Sequence, residues 1–378
     1  MFDVKLTLIG KITLISIILQ AIIITVLESF VIYFHVNFVK QYQLTPQGDG
    51  ISEADLIYHA IFILSLLFQI LLAADALWHR NTVQIIALAI FNFLSLIYAG
   101  IQLYQHKILE DEGTIGAKYK PDTSLFSIND PEAPKVYYEA RMRPLEHTII
   151  GLISGFSIYL AFMSYLLSKE FGWENYKTYS ADLLVRNTYL YLTILQTLIK
   201  MDVFFIGSYA LQLIPSQQIG YSYSIIEVAL VFFFGTLMLL LAWFSVTMEL
   251  KYLLLSVINI YSISLIYWVY RLVTVNLKTS DGTDPYQFTR RFLSFFLATT
   301  FALVAFTVFY SVVCFRNMMR GIYVLTVFGQ PENEAEGRSP YLDADNLSTQ
   351  SPNFMSKRQS AIIQQQRLRA QEPKILLD

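Results

Sequence analysis

Hydrophobic positions along this chain of 378 residues fall into eight long runs: Ile12–Phe34, Leu56–Trp78, Val83–Tyr104, Thr148–Leu167, Thr188–Leu213, Ile225–Val246, Tyr252–Val273 and Phe292–Phe315. Each holds roughly 20 residues or more, and a helix needs about 20 to cross a hydrocarbon core about 30 Å thick. Helices of a soluble domain keep a polar face toward water, so such a domain has no use for this many apolar runs. The pattern predicts an all-α fold, a polytopic transmembrane helix bundle of about eight spans over residues 1–329. Seven spans is the alternative, if one amphipathic-ended segment lies in the interface. The lipid bilayer is the first implied partner.

The polar gaps add connectivity. His79–Thr82 and Thr247–Lys251 are so short that the spans on either side must be antiparallel neighbours. Gln105–His147 is a longer polar loop punctuated by Pro121, Pro131, Pro134 and Pro144. It is too short for a catalytic domain and reads as a partly ordered cap. Residues 330–378 are rich in Asn, Ser, Gln, Glu and Pro and poor in aromatics, the composition of a disordered tail. No internal repeat is strong enough to be read. Lys5 and Lys11 precede the first run, which is too long for a signal-peptide core and lacks a small-residue cleavage site, so it is expected to stay as a first span.

Composition agrees: 55% of residues are hydrophobic and 15% charged, against ~25% charged in ordinary soluble domains. A net charge of −2 gives no field to attract nucleic acid, which is excluded as a partner. Cys314 is the only cysteine, which excludes an intramolecular disulfide, a multi-Cys zinc site and a CxxC redox site. With eight spans, the side carrying both ends holds 15 Lys and Arg and the opposite side 10. The excess of positive charge places both ends, and with them the tail, in the cytosol.

Ionisable residues inside spans are expensive and therefore direct attention to function. Lys200 and Asp202 lie near the middle of the fifth span. At ~100° per residue they point about 200° apart, so they do not pair with each other. A helix charged on two sides should be surrounded by other helices, at the centre of the bundle. Glu28 in the first span is the next deepest and a candidate buried partner for Lys200, while Asp75, Glu227 and Glu249 lie near span ends within reach of hydration. These charges either neutralise one another and fix helix register, or line a proton- or ion-coupled path. Transporters usually show broken helices at the midplane; here Pro is absent from the spans and Gly is sparse, which favours the first reading.

His35, His59, His79, His106 and His147 fall at or near span ends with no His pair four residues apart, so interfacial placement is expected rather than a metal site. No catalytic motif and no cofactor site is read. Asp343-Ala344-Asp345 has no domain around it, and Gly151-Leu152-Ile153-Ser154-Gly155 is a GxxxG packing motif in the fourth span.

A more specific signal lies between spans four and five: Phe171-Gly172-Trp173-Glu174-Asn175-Tyr176-Lys177, then Ala181-Asp182, Arg186 and Lys200-Met201-Asp202-Val203-Phe204-Phe205, with Gln212. Cys314-Phe315-Arg316-Asn317 with Gly321 is a second element. Together they resemble a fungal family of uncharacterised multi-pass Golgi apparatus membrane proteins, over most of the membrane region but not the tail. The chain departs from that family at Tyr179-Ser180, where a smaller Gly-containing pair is expected. The resemblance implies a place in the Golgi membrane rather than a reaction. The expectation is a non-enzymatic trafficking or membrane-organisation component that meets cytosolic or membrane proteins through its tail. The alternative is a transporter of a small solute or ion using the span-five charges.

Overall fold

The computed structural model describes residues 6–44, 46–108, 110, 118–119, 133–178, 183–214, 224–277, 286 and 289–321, with backbone alone for 42–43, 46–47, 118–119, 133–134, 174–178, 183–185 and 224. The expectations for the tail, Asp343-Ala344-Asp345 included, therefore lie outside the described residues.

Nine helices carry the described fold: α1 (Leu8–Gln41), α2 (Pro46–Trp78), α3 (Thr82–Ile108), α4 (Ala133–Arg141), α5 (Arg143–Thr178), α6 (Leu183–Gln212), α7 (Ser224–Thr247), α8 (Lys251–Asn276) and α9 (Arg290–Met319). All but α4 are long and apolar enough to cross a membrane. In hydrocarbon the backbone must satisfy its own hydrogen bonds, and an unbroken helix does so. Several helices outrun the apolar segment that specifies them. At 1.5 Å per residue, the 34 residues of α1 reach about 51 Å, well past a ~30 Å core. Pro46 opens α2, a position where a missing N–H costs nothing.

The eight long helices form two rings of four. In the first, α1 packs on α2, α2 on α3, α3 on α5, and α5 back on α1; in the second, α6 packs on α7, α7 on α8, α8 on α9, and α9 back on α6. Both rings join their second and third helices by a tight turn with the same backbone device. Arg80 (φ 48°) and Glu249 (φ 49°) adopt the left-handed conformation. The next amide then donates to the carbonyl five residues back, Asn81 to Ala76 and Leu250 to Ser245, both at 2.9 Å. This closure caps a helix C-terminus and is usually built on glycine. The likeness of the two halves is thus visible in topology although no repeat is legible in the letters.

The rings meet where α2 and α3 lie against α6 and α3 against α9. An aromatic seam fills the junction: Phe68 and Phe91 stand 5.2 and 5.0 Å from Phe204, Phe205 is 5.8 Å from Phe296, and Tyr58 stacks on Phe292 at 3.7 Å between centroids. The span window of α6 is the most buried of the eight, in line with charge on two of its sides.

Of the Gln105–His147 segment, read as a cap, two described pieces lie near the end of α1. β2 (Lys118–Tyr119) pairs antiparallel with β1 (Tyr42–Gln43). From α4, Tyr138 packs on Phe38 (4.6 Å between rings) and Tyr137 donates to the Phe34 carbonyl at 3.3 Å.

The glycines of α7 and α5 have opposite roles. A Cβ on Gly235 of α7 would stand 2.9 Å from Ile206 Cγ2 of α6, so only glycine allows that approach. Gly151 and Gly155 are exposed with nothing within 4 Å of an added Cβ, so among the described residues the GxxxG motif brings no second helix close. Gly235→Leu should therefore cost about 1–3 kcal/mol by overpacking and lower the thermal unfolding temperature in detergent. Gly151→Leu should leave that temperature unchanged.

Candidate functional site

Lys200 does not meet Glu28, as its sign and depth suggested. Its ammonium reaches the Asp75 carboxylate and the Gln84 Oε1 (3.0 Å), where α2 turns into α3. The α6 face that carries Lys200 is satisfied along its own helix, Thr193 donating to the Tyr189 carbonyl (2.9 Å) and Thr197 to that of Thr193 (2.8 Å). On the other side of α6, Asp202 is fully buried and accepts from Thr307 Oγ1 of α9 at 2.7 Å. Among the described residues no cation pairs with it, so it stands outside any charge network.

The second ring has a stronger ion pair at Arg271 of α8. Its Nε lies 2.6 Å from Glu227 Oε1 of α7 and donates to Tyr209 Oη at 3.1 Å, while Nη1 donates to Tyr286 Oη at 3.1 Å. Tyr267 Oη adds a 2.6 Å bond to the same carboxylate oxygen. Glu227 is therefore the counter-charge of Arg271 rather than a hydrated end residue.

The first ring holds two polar layers. One layer is built of three amides and a hydroxyl: Gln20, Gln69, Asn92 and Ser157, one from each helix. Gln20 Nε2 and Gln69 Nε2 donate to Asn92 Oδ1 at 2.8 and 3.0 Å, and Asn92 Nδ2 donates to Ser157 Oγ at 2.8 Å. The other layer lies under the cap, where α1 and α3 end and α2 and α5 begin. Here His35, His59 and His106 converge on Asp55, all four at most 2% exposed, which overturns the interfacial reading for these three histidines. Around Asp55 Oδ2 stand His106 Nε2 at 2.7 Å, His35 Nδ1 at 3.0 Å and His59 Nε2 at 3.5 Å, and the two Nε2 atoms are 3.0 Å apart. One ligand atom from each residue fits within 4.8 Å of all the others.

Each imidazole turns its second nitrogen outward. His59 Nδ1 meets Glu28 Oε2 at 2.6 Å, His106 Nδ1 meets the Glu146 carboxylate, and His35 Nε2 meets Ser52 Oγ at 2.7 Å. Glu28 is thus an outer support of the histidine layer. His79 and His147 stay exposed, His79 beside Asp75 and His147 on the Arg143 carbonyl (2.7 Å).

The residues singled out by motif are scattered. Phe171 is buried with Ala76, Leu77, Ile85 and Leu167, pinning the end of α5 to the α2–α3 turn. Gly172 and Trp173 are exposed, and Asn317 is half-buried with its carbonyl accepting from the Arg320 amide at 3.0 Å. The side chains of Tyr176 and Lys177, and all of Asp182, lie outside the described residues. A signal for the histidine layer was present in the sequence: Asp55 and His59 are four apart, as are Gln102 and His106, and Glu28 and His35 are seven apart. Each spacing keeps a pair on one helix face. A search limited to His–His pairs passes over them.

Removing one partner of a buried ion pair costs about 3–5 kcal/mol, so Arg271→Gln should lower the unfolding temperature in detergent strongly. Lys200 and Asp75 are a quarter to a third exposed, so Lys200→Met should cost about 1 kcal/mol or less. Asp202→Asn keeps the acceptor for Thr307 and removes a buried acid, so it should be neutral or stabilising. A large loss in Asp202→Asn would mean that Asp202 has a cationic partner.

No protein-family model matches the chain, and no solved structure does. The chain is 22% identical over 268 residues to a UPF0658 Golgi apparatus membrane protein of Schizosaccharomyces pombe, a match covering 69% of this chain and 75% of the relative. The chain thus resembles, over most of its length, the fungal family of uncharacterised Golgi apparatus membrane proteins to which its motifs pointed.

Proposed function

We propose that this chain is a multi-pass protein of the Golgi membrane that organises or sorts other components without catalysing a reaction. The Golgi assignment rests on the name of the yeast relative and on the motif residues between spans four and five. The observation that carries the non-transport part is the environment of Asp202: fully buried, bonded to Thr307, and absent from the lining of the apolar crevice of about 320 Å³ between α6 and α7 that Lys200 touches. A coupled transport path needs its acid to exchange protons with water. The intramembrane charges instead hold helices together, Lys200 with Asp75 and Arg271 with Glu227.

In this reading both chain ends face the cytosol, following the excess of Lys and Arg on that side, and the histidine layer lies at the lumenal end. The tail after residue 330 supplies the surface for cytosolic or membrane partners. A glycosylation acceptor placed between residues 120 and 130 should be modified, and one at the C-terminus should not. A chain cut after residue 329 should accumulate normally yet leave the Golgi. Retention with an unchanged set of neighbours in proximity labelling would refute the tail's role. Proton flux into proteoliposomes that disappears in Asp202→Asn would refute the non-transport reading.

A further inference from the structure

We infer that His35, Asp55, His59 and His106 form a four-ligand site for one zinc ion, which clamps α1, α2 and α3 together at the capped end of the first ring. The argument starts from hydrogen positions. Glu28 and Glu146 can only accept when ionised, so their carboxylates beside His59 Nδ1 and His106 Nδ1 favour the ring protons on Nδ1, where Gln102 Nε2 also lies 2.5 Å from His59 Nδ1. In the neutral rings both Nε2 atoms are then bare lone pairs. Yet these two atoms face each other at 3.0 Å and share Asp55 Oδ2, itself an acceptor. Three electron-rich atoms do not gather in a dry interior without a positive charge among them. His35 Nδ1 lies 3.0 Å from the same oxygen without hydrogen-bond geometry, and it and Asp55 Oδ1 find no hydrogen-bond partner among the described residues.

Charge leads to the same point. Asp55, Glu28 and Glu146 are three carboxylates at most 7% exposed, and among the described residues no Lys or Arg pairs with them. A divalent cation offsets two of the three charges. A tetrahedral ion bound at 2.0–2.1 Å separates its ligand atoms by about 3.4 Å, within the range of 2.7 to 4.8 Å spanned here. The outward contacts to Glu28, Glu146 and Ser52 are the supports that orient metal-bound imidazoles and strengthen them as ligands.

The donor set selects the ion. Three imidazoles and one carboxylate suit zinc, whereas calcium and magnesium want oxygen throughout and copper(I) wants sulfur. Four protein ligands fill a tetrahedral shell, the arrangement of a structural rather than a catalytic zinc. The space beside Glu28, His59, Gln102 and Glu146 is about 10 Å³, room for about one water and no substrate. This site is independent of the trafficking reading and can stand or fall without it.

The test uses the full chain purified in detergent. Elemental analysis should find about one zinc per chain. Chelation should lower the unfolding temperature, zinc alone should restore it, and cobalt(II) should give the visible absorption of a tetrahedral nitrogen–oxygen site. Glu28→Gln leaves the four ligands in place and should weaken zinc binding roughly 10–100-fold, while His59→Gln should abolish it with helix content retained. If the ligand variants fail to fold, the wild-type chain decides. Wild-type chain with no zinc, no response to chelator and no cobalt spectrum overturns the inference. So does a metal-free chain that is stabilised on acidification through about pH 6, because protons would then hold the three histidines together.

Discussion

A polar atom inside this bundle has only protein to satisfy it, and that constraint organises the rest of the structure. Away from bulk water, a buried carboxylate, amide or guanidinium is costly unless it finds a partner on a neighbouring helix. Lys200 reaches the α2–α3 turn, Arg271 ties α8 to α7, and Asn92 collects Gln20, Gln69 and Ser157 from three other helices. Apolar surface gives little preference between helices in lipid, because lipid tails are as apolar as leucine. Interhelical hydrogen bonds, worth roughly 0.6–2 kcal/mol each, and close packing supply that preference. The polar residues therefore specify which helices meet.

Steric fit supplies the remaining specificity. An aromatic cluster runs through the seam between the rings, from Phe68 and Phe91 across to Phe204, Phe205 and Phe296. Such rings offer large, stiff contact surfaces and favour offset or edge-on pairs, as in the right-angled approach of Phe91 to Phe204. Gly235 does the converse, removing a side chain so that α7 can lie against Ile206.

Hydropathy made the helices legible, and each apolar run falls within or almost within one helix. The ends were less so, since α2 continues ten residues before Leu56 through a polar stretch that hydropathy reads as loop. That stretch carries Ser52 and Asp55, so missing the helix meant missing the site. The central position of α6 followed from two charges on opposite faces. Their partners did not, because sign and depth make Glu28 as good a match for Lys200 as Asp75. Only the ring order separates them, and ring order depends on contacts between distant segments. The three histidines were visible one by one, but their convergence required α1, α2, α3 and α5 to end at one level.

The two polar layers of the first ring differ in what they need from outside. Amides donate and accept at once, so Gln20, Gln69 and Asn92 bond to one another without an added charge. The histidine layer cannot close in this way. Its outer carboxylates turn the ring protons outward, leaving His59 Nε2, His106 Nε2 and Asp55 Oδ2 as acceptors facing one another. In the second ring Arg271 brings a permanent positive charge to Glu227, and no external ion is required. The chain thus holds one ring with charges encoded in its own side chains, while in the other the proposed zinc would balance the carboxylates around the histidines. Beside Tyr138, whose ring stands 6.4 Å from that of His35, such an ion would couple the packing of α1, α2 and α3 to the supply of zinc.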